Sequence, residues 1–520
     1  MRGVWTGRVR SEGSPTPTRV QVDGAAECLV LRHRSSALRL RVEGSAAGSV
    51  AVRIAVMDHG APRPISQVTL STGAGGFRRE LSFRRDELGA SDWLRLSFDQ
   101  AGLAIETLEL EEEVRKPKLV VFGLDGLSWR ILDPLLKAGR LPHIEALIRG
   151  GVRGTLLSMK PILSPVVWTT IATGRKPKDH KIWDFVDSEK HLVNSTEVRA
   201  KRIWEIASER QAATVGVTGW FVTWPVDPVA GFMLSDRSTP WKSVSGEERP
   251  LSFFPASLQG PFEDVFRERR QQYRSESRRF TSLPVDKDWR KELTAEDSLR
   301  ARLEIFETRF LRAYLRDSTL AEAGLQLLSA LSPDLFLLYL RGSDHAQHAF
   351  WFARAPEESV TPVDADDRRY YGSVIDSYYG YLDEVLGRYQ AAAPEGTVFM
   401  IVSDHGFRSY VRQRDGKPRS QAYHEQEGVY IVGGPGFRRG VQGNPISVID
   451  LAPLWLDRLD LPIAEDMPGK LPTQLLSEPD RRRPARIASY GPRDAPSVSR
   501  EGEADADLLE QFKALGYIAE

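Results

Sequence analysis

The first 115 residues show short segments in which apolar and polar residues alternate. Segments such as ALRLRVE, VAVRIAV and WLRLSF recur about every ten residues, with Gly, Pro, Ser and Asp between them. Alternation gives a strand one apolar face, and short strands at this spacing are typical of antiparallel sandwiches and small barrels. We therefore predict a small all-β, sandwich-like domain over residues 1–115, followed by the charged segment EEEVRKPK.

After this segment the pattern changes to continuous apolar runs separated by longer stretches with helical periodicity. A run of this type suits a strand that is buried on both faces of a parallel sheet. Helices between such strands act as crossover connections, and they cover the sheet on both faces. We predict an α/β domain over residues 116–475 with a mostly parallel central sheet, whose strands include 118–124, 213–218, 334–340, 397–403 and 429–434.

Two further segments depart from this pattern. Residues 235–298 are rich in Pro, Ser and Arg and contain the basic run FRERRQQYRSESRR, so we interpret them as an insertion in the α/β domain. The basic run is either part of a cap over the functional site or a solvated helix, and charge runs favour the second. Residues 476–520 are predicted to form an exposed linker and a short amphipathic helix.

Composition argues against several classes of function. The chain carries 71 basic and 71 acidic residues, whereas a general binder of nucleic-acid polymers needs a net basic face. The single cysteine, Cys28, excludes intramolecular disulfides and zinc sites built from cysteine. The start of the chain lacks the apolar run of a signal peptide, and the longest apolar runs are far shorter than the ~20 residues that span a bilayer. We expect a soluble, cytoplasmic protein without a membrane span.

Candidate chemistry lies where the apolar runs end, because ligands of open α/β sheets bind beyond the carboxyl ends of the strands. Three predicted strands are followed there by carboxylates, two of them with a histidine close by, and a further histidine precedes the strand 429–434. These residues are Asp125, Asp344 with His348, Asp404 with His405, and His424. Each residue alone has a commoner structural role, such as a helix cap, and only their joint placement favours metal binding. Carboxylates and neutral histidines suit Zn²⁺, Mn²⁺ or iron better than Ca²⁺, and this set is enough for two ions.

A candidate nucleophile lies in the segment PILSPVVWTTIATG at residues 161–174. Ser164 precedes Pro165, and proline is tolerated at the start of a helix, where backbone N–H groups favour anions. A two-metal centre can deprotonate such a hydroxyl and polarise a phosphoryl or sulfuryl oxygen. The alternative role of Ser164 is that of a helix N-cap.

Together these motifs resemble the alkaline phosphatase superfamily, specifically its type I phosphodiesterase/nucleotide pyrophosphatase branch. The resemblance covers roughly residues 118–475 and leaves out the N-terminal β region. It rests on five motifs in the family's order: VFGLDG at 121–126, LSPVVWTTIATGRKPKDHKI at 163–182, GSDHAQHAFW at 342–351, SDHGF at 403–407 and YHEQEGVYIVGGPG at 423–436. It implies an alkaline phosphatase-like catalytic domain with two divalent metal ions, zinc or in its place manganese or iron.

The resemblance also implies a role for each site residue. The implied metal ligands are Asp125, Asp404, His405 and Ser164 for one ion, and Asp344, His348 and His424 for the other. The implied reaction is attack by Ser164 on phosphorus, followed by hydrolysis of a phosphoserine intermediate. The implied substrate is a small phosphate ester, such as a nucleotide, a phospholipid headgroup or a glycan-linked phosphate.

Two departures from the family pattern bear on specificity. Characterised nucleotide pyrophosphatases usually carry threonine as the nucleophile and asparagine three residues later, where this chain has Ser164 and Val167. Val167 cannot donate a hydrogen bond to a phosphate oxygen, which argues against a simple transfer of nucleotide specificity. Sulfatases of the superfamily need Cys or Ser in a C/S-x-P-x-R motif, whereas here Pro165 follows Ser164 directly, so sulfatase activity is not expected as the main function.

Substrate contacts and the type of reaction leave alternatives open. Trp168, Trp183 and Trp220 are candidates for lining the substrate pocket, although aromatic residues more often belong to a core. The same centre would serve a phosphotransferase, because water and an alcohol attack the same intermediate. A non-catalytic binding protein with a vestigial metal site is a further alternative, but such sites usually lose ligands, and here the whole set is present.

Overall fold

The computed structural model describes most of residues 119–494, eight strands before them and three residues near the C-terminus. The gaps within 119–494 are 211–212, 240–251, 286–288, 295–296, 415–416 and 478–483, and the C-terminal residues are 509, 512 and 513. By its internal contacts the chain divides into two compact units, Met1–Arg115 and Lys116–Glu520.

The strands of the first unit form two antiparallel sheets of four. They are β1 (Val20–Val22), β2 (Cys28–Arg32), β3 (Leu38–Ala46), β4 (Val50–Asp58), β5 (Ala61–Leu70), β6 (Phe77–Phe83), β7 (Trp93–Phe98) and β8 (Leu103–Glu112). Their order is β1-β8-β3-β6 in one sheet and β2-β7-β4-β5 in the other. The described part of this unit is all-β, as the alternating pattern predicts.

The second unit is built on a ten-stranded sheet. Its strands are β9 (Leu119–Leu124), β10 (Gly151–Leu157), β11 (Val215–Thr218), β12 (Gly231–Leu234), β13 (Phe253–Phe254), β14 (Leu335–Leu340), β15 (Val398–Val402), β18 (Glu427–Gly433), β19 (Val441–Gln442) and β20 (Ile446–Ser447). Outside this sheet, β16 (Gly406–Arg414) pairs with β17 (Lys417–Glu425), and β21 (Ile463–Ala464) pairs with β22 (Arg486–Ile487).

The middle of the large sheet is parallel. The strands β12, β11, β14, β9 and β15 are neighbours in that order, and each pairs in parallel with the next. Strand β18 then runs antiparallel to β15. Between β15 and β18 the described residues form the β16–β17 hairpin and no crossover helix, which a parallel connection normally requires. The prediction of a mostly parallel central sheet is confirmed, with an antiparallel part at this side.

Helices cover both faces of the sheet. They are α1 (Trp129–Lys137), α2 (Pro142–Arg149), α3 (Ser164–Thr173), α4 (Pro177–His180), α5 (Ile203–Glu209), α6 (Gln259–Glu276), α7 (Trp289–Glu292), α8 (Ser298–Phe306), α9 (Arg312–Leu331), α10 (Gly342–Arg354), α11 (Ala365–Tyr371), α12 (Val374–Ala392) and α13 (Leu451–Arg458). A π-helical segment, Glu307–Leu311, joins α8 to α9.

Strand β9 shows how the sequence produces two cores. Its side chains alternate, so that Val120 and Phe122 belong to the apolar core that includes α1, α9 and α12, whereas Leu119 and Val121 belong to the core that includes α3 and α13. All six residues of β9 are buried, which is the pattern expected of a strand covered on both faces. No described helix is both long enough and apolar enough to cross a membrane.

Parts of the predicted insertion and of the predicted linker are packed in the structure. Helix α6 lies wholly within the predicted insertion, and it buries Phe262 and Phe266 in the core that includes residues of the sheet. In the segment assigned to the linker, β22 pairs with β21, and Arg493 is buried. A local run of polar residues carries no information about such distant partners, which is why the linker prediction does not account for this part.

Candidate metal centre

The carboxyl ends of three adjacent parallel strands bring the predicted site residues together. Asp125 directly follows β9, and Asp404 and His405 follow β15. Helix α10 begins two residues after β14 and carries Asp344 and His348. The sixth residue, His424, lies near the end of β17. Five of the six residues are at most 9% exposed, and the sixth, His348, is the most accessible.

Asp125, Asp404 and His405 form one group of possible metal ligands. Their nearest ligand atoms lie within 4.8 Å of one another. His405 Nε2 is 3.1 Å from Asp125 Oδ1 and 3.6 Å from Asp404 Oδ2. These three atoms are buried and form no hydrogen bond within the described part of the chain. Carboxylate oxygens this close together and this deeply buried need positive charge to compensate them, which a divalent cation supplies.

Asp344, His348 and His424 form a second group. The Asp344 Oδ1 atom is 3.4 Å from His348 Nε2 and 3.3 Å from His424 Nε2, and the two Nε2 atoms are 2.8 Å apart. Asp344 and His348 are four residues apart on α10, so they share one face of the helix. Helix α10 therefore places the Asp344 carboxylate and the His348 imidazole side by side.

His405 connects the two groups into one cluster. Its Nε2 atom is 3.9 Å from Asp344 Oδ1, and its ring stacks on that of His424 with centroids 3.6 Å apart and an interplanar angle of 16°. Asp344, His405 and His424 each offer a ligand atom, and these atoms also lie within 4.8 Å of one another. The six residues predicted from the sequence thus share one continuous polar cluster.

The electrostatics of the cluster match a site that holds cations. Burial and the neighbouring Asp125 raise the pKa of Asp404 well above its usual value. Burial lowers the pKa of His405, but Asp404 and Asp125 outweigh it and raise the pKa to about 10. Burial together with His405 lowers the pKa of His424 to about 4. Protons thus compensate the crowded carboxylates when no metal is present, and divalent ions would do so in their place.

Outer contacts fix the orientation of the ligands. Asp125 Oδ2 accepts hydrogen bonds from Trp168 Nε1 at 3.1 Å and from the Tyr339 hydroxyl at 2.5 Å. His424 Nδ1 lies 3.1 Å from the carbonyl oxygen of Ile162, and His405 Nδ1 lies 3.0 Å from that of Gly406. A carbonyl oxygen only accepts, so each Nδ1 carries a proton, and Nε2 is the nitrogen of each ring that faces the cluster and could bind a metal.

Ser164 is the first residue of α3, and it is buried. The N-cap of this helix is Leu163, so the capping role is not the one that Ser164 has. The segment that contains Ser164 contacts both ligand groups, because Ile162 meets His424 and Trp168 meets Asp125. The N–H groups of Val166 and Val167 bond to Leu163, so these two donors do not face an anion as the sequence suggested.

The tryptophans proposed to contact substrate occupy different environments. Trp168 and Trp220 are fully buried, with ring centroids 5.0 Å apart in a T-shaped pair, whereas Trp183 is 54% exposed. Gly123 on β9 makes room for the pair, because a Cβ atom there would lie 2.8 Å from Cζ3 of Trp168. Trp168 therefore supports the candidate ligand Asp125, Trp220 packs against Trp168, and neither ring offers accessible surface to a substrate.

Two supporting residues were not identified from the sequence. Tyr339 lies in the apolar run LFLLYL and has the pattern of a core residue. Asp317 lies inside α9, and its Oδ2 atom accepts hydrogen bonds from the backbone N–H of Gly342 at 2.7 Å and from Tyr378 at 2.5 Å. Asp317 therefore holds the start of α10, the helix that carries Asp344 and His348. No local signal identifies either contact.

The family model for type I phosphodiesterase/nucleotide pyrophosphatase matches residues 119–457. No curated protein matches the chain. Among solved structures, human ectonucleotide pyrophosphatase/phosphodiesterase 5 is similar, with 14% identity over 70% of this chain and 100% of that one and a TM-score of 0.42. The murine protein in an inactive form with AMP has 16% identity over 70% and 100% of the two chains and a TM-score of 0.39. Phosphonoacetate hydrolase from Sinorhizobium meliloti 1021, in complex with phosphonoformate, has 18% identity over 58% and 59% and a TM-score of 0.34.

Proposed function

The chain belongs to the type I phosphodiesterase/nucleotide pyrophosphatase family, and on this premise we propose that it hydrolyses small phosphate esters through Ser164 at a two-metal centre. The family match covers the strands and helices that carry all the candidate site residues. The protein is therefore an enzyme that acts on phosphate esters. The number and identity of the metals, the nucleophile and the intermediate are the parts that we add.

The observation that carries the proposal is the convergence of six ligand-type side chains beside the start of α3. Three buried carboxylates in one cluster are expensive without cations, and the atoms Asp125 Oδ1, Asp404 Oδ2 and His405 Nε2 form no hydrogen bonds in the described structure. One raised histidine pKa, that of His405, does not balance three carboxylates, so the cluster has a place for further positive charge.

We assign the ligands to two ions. Asp125, Asp404 and His405 would hold one, with Ser164 completing its set, and Asp344, His348 and His424 would hold the other. Mixed carboxylate and imidazole ligands favour zinc, with manganese or iron as alternatives. Metal ions in such sites polarise phosphoryl oxygens and activate a hydroxyl as a nucleophile at neutral pH.

The residues of the chain then account for the two halves of the reaction. The Ser164 oxygen attacks phosphorus, a bond from that oxygen to phosphorus forms, and the bond to the leaving alkoxide or phosphate breaks. Water then attacks the phosphoserine, which restores the Ser164 hydroxyl and releases the phosphate product. Helix α3 is buried along its whole length, and this rigidity supports the precise orientation that an in-line displacement needs.

The substrate class that we propose is a small phosphate ester without a strict nucleotide requirement. Val167 stands where nucleotide pyrophosphatases usually have asparagine, and it is fully buried in the core beside α3. A buried aliphatic side chain contributes no hydrogen bond to a phosphate oxygen. Selectivity for a nucleotide would therefore need other residues.

An activity panel tests the proposal. The purified protein is assayed with bis-p-nitrophenyl phosphate, p-nitrophenyl phosphate, a dinucleotide and a sulfate ester, with zinc or manganese added and after treatment with a chelator. We expect metal-dependent hydrolysis of one or more phosphate esters and much weaker activity on the sulfate ester. Protein that binds no divalent metal and hydrolyses none of the phosphate esters would overturn the proposal and favour a vestigial site.

A further inference from the structure

We propose that a basic cavity in the α/β unit, separate from the metal centre, binds the phosphate group of a small phosphorylated ligand. The cavity has a volume of about 410 Å³ and lies among the C-terminal end of α3, helix α4 and residues 489–492. Small-molecule sites have volumes of about 300–1,000 Å³, so the cavity accepts a phosphate with a modest organic group.

The lining of this cavity carries more basic than acidic residues. The whole chain has equal numbers of basic and acidic residues, but the lining has more basic ones. The charged residues of the lining are Arg175, Lys178, Lys181, Arg199 and Lys201, together with Asp179 and Asp466. Such a concentration of one sign in a concave site raises the local concentration of anions.

Part of this charge is already neutralised by neighbours, and part is not. Arg175 Nη1 lies 2.6 Å from Asp466, and Lys201 Nζ lies 2.5 Å from Glu209. Within the described residues no ion pair involves Lys178, Lys181 or Arg199. These three side chains outnumber the remaining acidic group of the lining, Asp179, and both lysines are exposed at the cavity. The Arg199 guanidinium keeps its charge while it donates a hydrogen bond of 2.6 Å to the Thr196 carbonyl oxygen.

The backbone at Lys181 fixes where this side chain begins at the cavity. Lys181 has a φ angle of 71°, in the left-handed region that side chains other than glycine rarely adopt. Its N–H group donates to the carbonyl oxygen of Pro177, so the residue closes α4 in this conformation. A left-handed residue is a common end of a helix, so it sets the position of Lys181 at the edge of the cavity.

The cavity and the proposed nucleophile lie at opposite ends of one helix. Thr173, the last residue of α3, lines the cavity, and Ser164 is the first residue. The helix has 10 residues, which corresponds to a separation of roughly 15 Å. A small ligand in the cavity therefore leaves the metal centre accessible, and the site does not depend on the proposed reaction.

The ligand chemistry is that of a phosphate dianion. Lysine ammonium groups bind phosphate as point charges, and an arginine adds directed hydrogen bonds. Free phosphate and the phosphate of a monoester share this chemistry. Titrations with inorganic phosphate, with AMP and with glycerol 3-phosphate separate the sources, because a contribution of the organic part appears as tighter binding of one ester.

The test is a calorimetric titration of the full-length, metal-loaded Ser164→Ala protein, in which turnover is blocked. We expect phosphate to bind at the cavity in addition to any binding at the metal centre, and to bind more weakly as salt rises. In the same background, the double variant Lys178→Glu/Lys181→Glu should lose phosphate binding at the cavity or bind phosphate there at least tenfold more weakly, while binding at the metal centre stays. The control is the double variant Lys137→Glu/Lys190→Glu, which makes an equal change of charge at exposed lysines outside the cavity. It should leave phosphate binding at the cavity and at the metal centre unchanged.

The outcomes separate this site from the catalytic proposal. If only the Lys178→Glu/Lys181→Glu protein loses one of the two phosphate sites, and its melting temperature is unchanged, the result supports a phosphate site in the cavity, whatever the activity of the enzyme. Identical stoichiometry and affinity for phosphate in the parent protein and the folded cavity variant would overturn it. A loss that is equal in the Lys137→Glu/Lys190→Glu protein would also overturn it, because the effect would then be one of net charge.

Discussion

The Tyr339 hydroxyl donates a hydrogen bond of 2.5 Å to Oδ2 of Asp125. Tyr339 lies on β14 opposite Gly123 of β9, so the bond joins the ends of two neighbouring parallel strands. Trp168 donates to the same oxygen, and Oδ1 remains for a metal. The orientation of this carboxylate is thus fixed by two buried side chains.

Replacing Tyr339 by phenylalanine should weaken the centre without unfolding it. The substitution removes one of the two hydrogen bonds that orient Asp125, and loss of such a partner typically costs 10–100-fold in activity or metal affinity. We expect kcat/KM to fall by roughly tenfold or more and the metal content to decrease. Tyr389→Phe, which removes a buried hydrogen bond to the Ala321 carbonyl oxygen, is the matched control and should stay active. Unchanged activity and metal content in Tyr339→Phe would contradict this role.

Replacing Ser164 by alanine should abolish hydrolysis and preserve the metals. The remaining ligands at both groups are untouched, so metal analysis by mass spectrometry should give nearly the content of the unmodified protein. Turnover should fall by several orders of magnitude, because the proposed nucleophile is missing. Ser208→Ala removes a helical hydroxyl that bonds to the Trp204 carbonyl oxygen, and it should have full activity. Near-normal turnover in Ser164→Ala would show that another group is the nucleophile.

Replacing His424 by alanine should remove one metal and leave the other. His424 contacts Asp344 and His348 directly, whereas Asp125 and Asp404 lie in the other group. We expect the metal content per chain to fall from about two to about one, together with a large loss of activity. Tyr423→Phe, at the exposed neighbouring position, should keep both ions. Loss of both ions in a folded His424→Ala protein would show that the two groups act as a single site.

The stability of the protein should decrease as the pH falls below about 6.5, in part because of His180. This residue is fully buried, its Nε2 atom lies 3.0 Å from the Thr170 hydroxyl, and burial lowers its pKa to about 3. Between about pH 6.5 and 3 the unfolded chain binds a proton at His180 and the folded chain does not, so protonation favours unfolding there. Thermal unfolding of the chelator-treated protein should show a shallower pH dependence in His180→Gln than in the unmodified protein. His143→Gln, at an exposed histidine, should keep the original dependence.

The sequence predicts the large sheet and the ligand cluster because both depend on local patterns. Strands β9, β14 and β15 are uninterrupted apolar runs, and each ends at a carboxylate or at the start of the helix that carries one. The antiparallel direction of β18 was not predicted, because it follows from the β16–β17 hairpin that replaces a crossover helix.

The supporting residues could not be predicted, because their roles depend on contacts between distant parts of the chain. Tyr339 has the sequence signature of a core residue and acts as a hydrogen-bond donor only because β14 lies beside β9. Trp168 was a candidate for lining the substrate pocket, and the structure shows it as a buried donor to Asp125. In both cases the side chain has an apolar body and a polar end, and hydrophobic patterning records only the apolar body.

The central position of β9 determines how the catalytic centre should respond to partial opening of the fold. Its backbone is hydrogen-bonded to β14 on one side and to β15 on the other, so no fraying of an edge strand releases Asp125. Amide protons in β9 should therefore exchange with solvent only through cooperative opening of the sheet, later than those of the peripheral hairpin formed by β16 and β17. A centre anchored in this way keeps its geometry through small fluctuations and loses it together with the domain.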